Sequence, residues 1–258
     1  MDENIHSLKT GGIKPHENLL SFGFPIHSET LKTDLLLLHG ALGSTAQLQG
    51  LATRLSGHVE VHCIGLSGHG GVPFQERFEI DQFADEVISY MADFPERRFH
   101  VFGYSMGGYV ALYLERRAPA TFQSIVTLAT KFDWNPESAQ KEAAMLNPDK
   151  ILEKIPAFAG ELKERHGESG WRMLLEKTAT MMLSMGHQPP LSPSDFAEIK
   201  IPVVLCHGTL DKMVSEEETM AIAKSLPTGN FVSYPDWPHP LEKCDPDKLS
   251  GDIIGYLS

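Results

Sequence analysis

The chain has 258 residues, of which 41% are hydrophobic and 22% are charged, and its formal net charge at pH 7 is −12. This length and composition are typical of a globular protein built from one large domain, or from one domain that carries an insertion. The negative charge argues against a surface for nucleic acid or for an anionic membrane, since both would repel it. We therefore expect no nucleic acid and no membrane among its partners.

The cysteines and the first residues indicate a compartment. Cys63, Cys206 and Cys244 form no Cys-x-x-Cys pair, and a small odd number of cysteines is typical of free thiols in a reducing environment. Cys206 lies inside an apolar run, which favours a place in the core over a role as nucleophile. Residues 1–10 lack the basic stretch followed by an apolar one that marks a secretory signal. These features predict a cytoplasmic protein.

Six short apolar runs predict strands of a parallel sheet, because such strands are covered on both faces and lack an alternating pattern. The runs are 34–38, 59–64, 99–102, 124–128, 202–206 and 230–234. The helix-like segments among them are 45–55, 80–93, 109–117, 216–225 and 246–257. Strands that alternate with helices predict an α/β fold with a mostly parallel sheet. The stretch up to Ser28 is expected to add one or two antiparallel edge strands.

The interval 131–200 contains no predicted strand, although a single crossover helix would be enough there. Its helical segments are 137–145, 148–164 and 169–185, with several prolines between and within them. We interpret it as a helical cap, inserted over the carboxyl ends of the strands into a core formed by 1–130 and 201–258. A cluster of methionines in this interval favours ordinary packing, and a flexible apolar pocket lining is the alternative. The cluster comprises Met173, Met181, Met182 and Met185.

The sequence Gly103-Tyr104-Ser105-Met106-Gly107-Gly108 follows one predicted strand and precedes a predicted helix. In that context Gly-x-Ser-x-Gly predicts a nucleophile elbow, a sharp turn that exposes the serine hydroxyl above the sheet. Glycines are needed where a side chain would collide with neighbouring backbone. The alternative interpretation is a glycine-rich turn with an incidental serine, so the prediction depends on whether the chain also supplies a base, an acid and an oxyanion site.

A serine nucleophile needs a histidine to take its proton and a carboxylate to orient that histidine. Asp211 follows the strand 202–206, at the rim where the carboxyl ends of parallel strands meet. Asp133, which follows the preceding strand, is the competing acid. His239 lies between two prolines after the last strand, and it alone follows both Ser105 and Asp211, as the chain order serine, acid, histidine requires.

The loop from His39 to Ser44 contains two glycines and follows the first strand, so it can aim a backbone amide at a developing oxyanion. We assign that amide to Ala41 and its partner to Met106, and we expect His39 to hold the loop by hydrogen bonding. Three neighbours of these groups are predicted to contact the substrate. They are Leu42, Tyr104 and Trp237.

Together these residues resemble the α/β-hydrolase superfamily over nearly the whole chain. The resemblance is carried by His39-Gly40 and its loop, by Gly65-Leu66-Ser67-Gly68-His69-Gly70, by the elbow motif, and by Asp211 and His239. It implies a mostly parallel eight-stranded sheet flanked by helices, a helical cap and a Ser-His-Asp triad without cofactor. Gly65 and Ser67 stand where the family commonly has Asp and Pro, and we expect this departure to alter the pocket wall and not the triad.

The function that we predict is hydrolysis of a small or medium acyl ester or thioester through an acyl-enzyme on Ser105. A carbon–carbon bond hydrolase or lyase that uses the same residues is one alternative, and a ligand receptor without turnover is another. No metal is expected, because the chain has no His-Glu-x-x-His motif. The group His58, Glu60 and His62 is better explained as polar side chains on one face of a strand, with no ligand. The only partner predicted is the small acyl substrate, and no feature of the sequence marks an oligomer.

Overall fold

A computed structural model of the protein describes residues 33–257. Within this range lies one six-stranded sheet, all of whose neighbouring strands are parallel, in the order β2-β1-β3-β4-β5-β6. The strands are β1 (Asp34–Leu38), β2 (Glu60–Ile64), β3 (Phe99–Tyr104), β4 (Phe122–Leu128), β5 (Val203–Gly208) and β6 (Gly229–Tyr234). All six predicted strands are confirmed, with ends that move by at most two residues.

The expected count of eight strands is wrong for the described residues, which contain six. Six is also the number of apolar runs that the sequence offers between residues 33 and 257. The edge strands expected before Ser28 fall outside the described residues.

Residues 33–257 also form ten α-helices, some of which pack on the two faces of the sheet. They are α1 (Thr45–Leu55), α2 (Ile80–Ala92), α3 (Met106–Arg117), α4 (Pro136–Ala144), α5 (Pro148–Lys154), α6 (Pro156–His166), α7 (Gly170–His187), α8 (Pro193–Phe196), α9 (Glu216–Ser225) and α10 (Pro246–Tyr256). Side chains of β1 alternate between the two faces, so Leu36 and Leu38 join the core under α2 and α3 while Leu35 and Leu37 join the core under α1 and α10. None of the helices in residues 33–257 combines the length and the apolar character needed to cross a membrane.

Five of these helices, α4 to α8, lie between β4 and β5 in the chain. The helical segment predicted over 148–164 is two helices. Pro156 has no N–H to continue the first helix, and the backbone of the preceding residue, Ile155, is no longer helical (φ −138°, ψ 61°). The helices α5 to α7 also share a small core of their own around the buried Trp171. We refer to α4–α8 as the inserted helices.

The strand order places a crevice above β1 and β3. The chain passes from β1 outward to β2 and then returns, so that β3 pairs with the other side of β1. Loops that leave β1 and β3 therefore diverge to opposite sides, and ligands bind at such a switch point in open α/β sheets. The two loops are the ones that carry Ala41 and Ser105.

Candidate active site

The serine of the elbow has a strained backbone that its surroundings impose. Ser105 has φ 50° and ψ −115°, a left-handed conformation that non-glycine residues rarely adopt. Its N–H donates to the carbonyl of Leu128 at 2.8 Å, and the hydroxyl of Thr130 donates to its carbonyl at 3.0 Å. Both partners lie at the end of β4, so the neighbouring strand fixes the turn.

Two glycines let the elbow pack this tightly. A Cβ atom at Gly103 would lie 2.4 Å from the backbone of Gly108, and one at Gly107 would lie 2.4 Å from the carbonyl oxygen of Leu38. Neither position can accept a side chain without a backbone shift. The start of α3 therefore packs directly on the end of β1 through Gly107, and the need for glycine at both positions agrees with the motif.

The structure brings Ser105, His239 and Asp211 together. The Oγ of Ser105 is 3.3 Å from Nε2 of His239, and Nδ1 of His239 is 2.7 Å from Oδ2 of Asp211. These atoms form one chain of polar contacts from a buried carboxylate to the serine hydroxyl. Asp133, the competing acid, is exposed and accepts a hydrogen bond from the amide of Asn135 instead.

The carboxylate of Asp211 is ionised although its side chain has no exposed surface. Burial alone would raise its pKa, but the hydrogen bond and positive field of His239 lower it, helped by the N–H groups of Met213 and Val214, which donate to Oδ1 at 2.8 and 3.0 Å. The net effect is a pKa below the usual value. A carboxylate that stays ionised accepts the hydrogen on Nδ1 of His239, so that Nε2 faces the serine.

The backbone around His239 is held at three points. Its carbonyl accepts a hydrogen bond from the hydroxyl of Tyr104 at 2.9 Å, and prolines flank it on both sides. The loop before it packs on the end of β5 so closely that a Cβ at Gly208 would lie 2.3 Å from the carbonyl oxygen of Trp237. The imidazole therefore projects from a rigid loop.

The loop after β1 lies beside the elbow. Gly40 in this loop is close to the serine, because a Cβ atom added to Gly40 would lie 3.2 Å from Cβ of Ser105. His39 is fully buried; its Nδ1 donates to the carbonyl of Gly40 at 2.8 Å, and its Nε2 accepts the N–H of Leu66 at 3.2 Å. Burial lowers the pKa of His39 to about 4, so the ring is neutral. The expectation that His39 holds this loop by hydrogen bonds is confirmed.

The next residue of the loop that matters is Leu42, which has a left-handed backbone with φ 59°. Its carbonyl accepts hydrogen bonds from Arg165 at 3.0 Å and from Nε2 of His166 at 2.9 Å. Both donors belong to α6. One of the inserted helices thus fixes the loop that carries Ala41.

A cavity of about 490 Å³, counting the space open to solvent, lies above Ser105. Its sheet-side wall consists of Ala41, Ser105, Met106 and His239, and its helix-side wall consists of residues between β4 and β5. The helix-side wall comprises Lys131, Trp134, Glu142, Met181, Met182 and Met185. Ile80, Tyr109, Met213 and Val214 complete the lining. Three of the four clustered methionines line the pocket, and the fourth, Met173, is 47% exposed.

The lining contains both residues predicted to supply oxyanion amides, Ala41 and Met106, but none of the three predicted substrate contacts. Leu42 packs against the core of the inserted helices, Tyr104 bonds to the carbonyl of His239, and Trp237 stacks on Tyr234 with ring centroids 4.0 Å apart. These three side chains therefore contact the residues that surround the cavity and do not line the cavity itself. Their neighbours in sequence reach the cavity because successive residues of a loop point in different directions.

Sequence reasoning missed Lys131, Trp134 and Glu142. Lys131 comes shortly after the carboxyl end of β4, so its position at the rim was a usable signal. Glu142 offered none, because its surroundings, Lys141-Glu142-Ala143-Ala144, are typical of an exposed helix, whereas the structure leaves its side chain only 3% exposed.

Cys206 is buried as expected, and burial raises the pKa of its thiol to about 12, which leaves it inert as a nucleophile. In residues 33–257 no three His, Cys, Asp or Glu side chains are arranged to hold a metal ion. His62 bonds to Asp34 and to the hydroxyl of Tyr90.

The chain is similar to several enzymes that share one esterase name. The pimeloyl-[acyl-carrier protein] methyl ester esterase of Pectobacterium atrosepticum is 24% identical over 251 residues, which cover 87% of this chain and 94% of the relative. The enzyme of the same name from Nitrosomonas europaea is 25% identical over 239 residues, covering 83% of this chain and 92% of the relative.

Among solved structures, MenH from S. aureus matches with a TM-score of 0.71 and 21% identity, over 87% of this chain and 93% of that one. The enol-lactonase from Burkholderia xenovorans LB400 matches with a TM-score of 0.70 and 16% identity, over 88% and 91%. At these identities the likeness shows a shared fold. The sequence model of the alpha/beta hydrolase family matches residues 35–248. The chain therefore belongs to the alpha/beta hydrolase family.

Proposed function

We propose that this protein is a serine carboxylic-ester hydrolase that cleaves a small or medium acyl ester or thioester. The observation that carries the proposal is the chain of contacts from Asp211 through His239 to Ser105, which ends at a largely apolar cavity. A receptor needs no such alignment of acid, base and nucleophile. The methyl ester esterases to which the chain is similar support an ester as the bond that is broken.

In the proposed mechanism, Nε2 of His239 takes the proton of Ser105 as Oγ attacks the carbonyl carbon of the substrate. The oxyanion is bound by the backbone amides of Ala41 and Met106, and the second of these opens helix α3, whose positive end favours negative charge. His239 then gives its proton to the leaving alcohol or thiol. A water molecule, deprotonated by His239, releases the acyl group and restores Ser105.

We propose further that residues 131–200 act as a cap over the reaction. The support is that α7 supplies Met181, Met182 and Met185 to the cavity while α6 bonds to the carbonyl of Leu42. A wall of apolar side chains excludes water from the nucleophile and accommodates an acyl chain. The free thiols of Cys63, Cys206 and Cys244 fit the cytoplasm, in which we place the enzyme.

The test is hydrolysis of p-nitrophenyl esters of graded chain length by the wild type, by Ser105→Ala and by the control Ser194→Ala, which alters an exposed serine far along the chain from the elbow. We expect kcat to fall at least about 10⁴-fold in Ser105→Ala and to stay unchanged in the control. A fluorophosphonate probe should label the wild type and not Ser105→Ala. Absence of both turnover and labelling in the wild type would refute the proposal and favour a receptor or lyase.

A further inference from the structure

The helix-side wall carries a polar cluster that the proposed mechanism does not use. Lys131, Trp134 and Glu142 line the same cavity as Ser105 and His239, in a wall otherwise made of methionines. Lys131 contacts both of the others: its Nζ is 3.9 Å from Oε1 of Glu142 and 5.8 Å from the ring centroid of Trp134. The three side chains therefore form one group.

Glu142 has an acceptor without a partner. Its side chain is 3% exposed, Oε1 faces Lys131, and Oε2 is buried with no hydrogen-bond partner among residues 33–257. Burial raises the pKa of this carboxyl above its usual value, and the nearby charge of Lys131 offsets part of that rise. A buried carboxylate oxygen is costly unless it accepts a hydrogen bond, so this atom is poised to accept one from a bound molecule.

Trp134 has the complementary donor. Its Nε1–H is buried and also lacks a partner within the described part of the chain, and an indole N–H can only donate. Lys131 is engaged elsewhere, since its Nζ donates to the carbonyl of Met213 at 3.3 Å in addition to facing Glu142. The cluster thus offers one acceptor, Oε2 of Glu142, and one donor, Nε1 of Trp134.

We propose that Trp134 and Glu142, held in place by Lys131, form a subsite for a neutral substrate group that both donates and accepts a hydrogen bond, such as a hydroxyl or a carboxamide. The charges of Lys131 and Glu142 offset one another, so neither a carboxylate nor an ammonium is favoured. The inference rests on the proposed function only in that it places the subsite in the cavity that receives the acyl substrate. The substrate class becomes an ester that carries a hydroxyl or amide at a distance from the scissile bond.

The test is binding, measured by calorimetry on Ser105→Ala, so that it does not depend on turnover. The ligands are methyl esters of C4 to C10 fatty acids and their counterparts with a terminal hydroxyl, carboxamide or carboxylate. In a purely apolar pocket the hydroxylated ester binds more weakly than the unsubstituted one. We expect the opposite at one or two neighbouring chain lengths, with Kd lower by about tenfold or more, and no such gain for the carboxylate.

Three variants made in the Ser105→Ala background complete the test. Glu142→Met, which removes the acceptor at similar size, and Trp134→Phe should each bring the hydroxyl preference to within about twofold. The unsubstituted ester should bind about as before, which also shows that the variant is folded. Glu137→Met, on the exposed side of the same helix α4, is the matched control and should keep the full preference.

The proposal is overturned if no hydroxylated or carboxamide ester binds more tightly than its unsubstituted counterpart. It is equally overturned if the preference survives both Glu142→Met and Trp134→Phe, or if the carboxylate binds best. A hydroxyl preference in a protein that hydrolyses no ester would support the subsite while refuting the esterase. Ester hydrolysis without any preference for the hydroxylated ester would support the esterase and refute the subsite.

Discussion

The two walls of the cavity are built by different means. In the sheet-side wall, backbone meets backbone: added Cβ atoms at Gly103 and Gly107 would collide with main-chain atoms at 2.4 Å. In the inserted helices, Gly160 and Gly170 have open space around them, and Gly186, where α7 packs on Ala139, is an exception. The lining there consists of unbranched methionines and one polar cluster. The difference fits the proposed function, in which the sheet-side wall holds the reacting groups and the helix-side wall selects the substrate.

After Ser105 itself, the largest effect is expected at Asp211, the acid that supports the sheet-side wall through His239. Asp211→Asn should lower kcat by about 10³- to 10⁴-fold, because an amide cannot stabilise the imidazolium and can favour the wrong tautomer of His239. Asp133→Asn, at the exposed competing acid, should change kcat by less than about twofold. Steady-state kinetics on one p-nitrophenyl ester compares them. A larger loss in Asp133→Asn would transfer the role to that residue.

The second prediction compares the free energy of unfolding of a glycine variant at the elbow with that of a glycine variant in the inserted helices. Gly107→Ala should lower the free energy of unfolding by about 3 kcal/mol, because the new methyl group meets the carbonyl oxygen of Leu38. Gly160→Ala, inside α6 with nothing within 4 Å, should raise it by up to about 1 kcal/mol. Urea unfolding of both variants measures this. Equal effects would show that the two walls do not differ in rigidity.

Acid should destabilise the protein through the buried imidazoles near the loop that carries Ala41. Burial lowers the pKa of His39 to about 4 and also lowers those of His69 and His166. These rings take up protons at lower pH in the folded protein than in the unfolded chain, which protonates near pH 6.5, so stability is full above about pH 6.5 and falls as pH decreases below it. His39 alone should contribute a loss on the order of 2 kcal/mol by pH 5.

Urea unfolding at several pH values between 7.5 and 5 measures this loss. In this window most carboxylates stay ionised, so the histidines dominate the change. His39→Gln, whose side chain does not titrate, should flatten the slope. A wild type of constant stability over this range would contradict the assignment of neutral buried rings.

The smallest effect concerns substrate selection by the helix-side wall. Met181→Ala removes a buried side chain from the lining and should lengthen the preferred acyl chain by about one or two carbons, with few-fold changes in kcat/KM. Met173→Ala, at the exposed methionine of the same helix, is the control. The series of p-nitrophenyl esters supplies the readout. A chain-length optimum that moves in neither variant would mean that α7 does not select the substrate.

The sequence predicts the backbone-fixed elbow better than it predicts the side chains that line the cavity. The elbow needs particular residues at fixed spacing, and the order of strands places Asp211 and His239 at one rim, so these could be read from the chain. The predicted contacts of Tyr104 and Trp237 could not be, because their orientation depends on how the loops after β3 and β6 pack. Glu142 was hidden for a related reason, since its burial follows from how α4 packs against α7 and not from its own neighbours in sequence.

The contact between Ser105 and His239 joins residues that are 134 positions apart in the chain. A growing polypeptide leaves the ribosome from its N-terminus, so β1 to β4 and the elbow are available to fold long before β6 and its loop exist. Under the mechanism proposed above, the serine hydroxyl has no base until then. A nascent chain therefore carries its nucleophile in an unreactive form, and recovery of turnover during refolding reports the docking of the last strand.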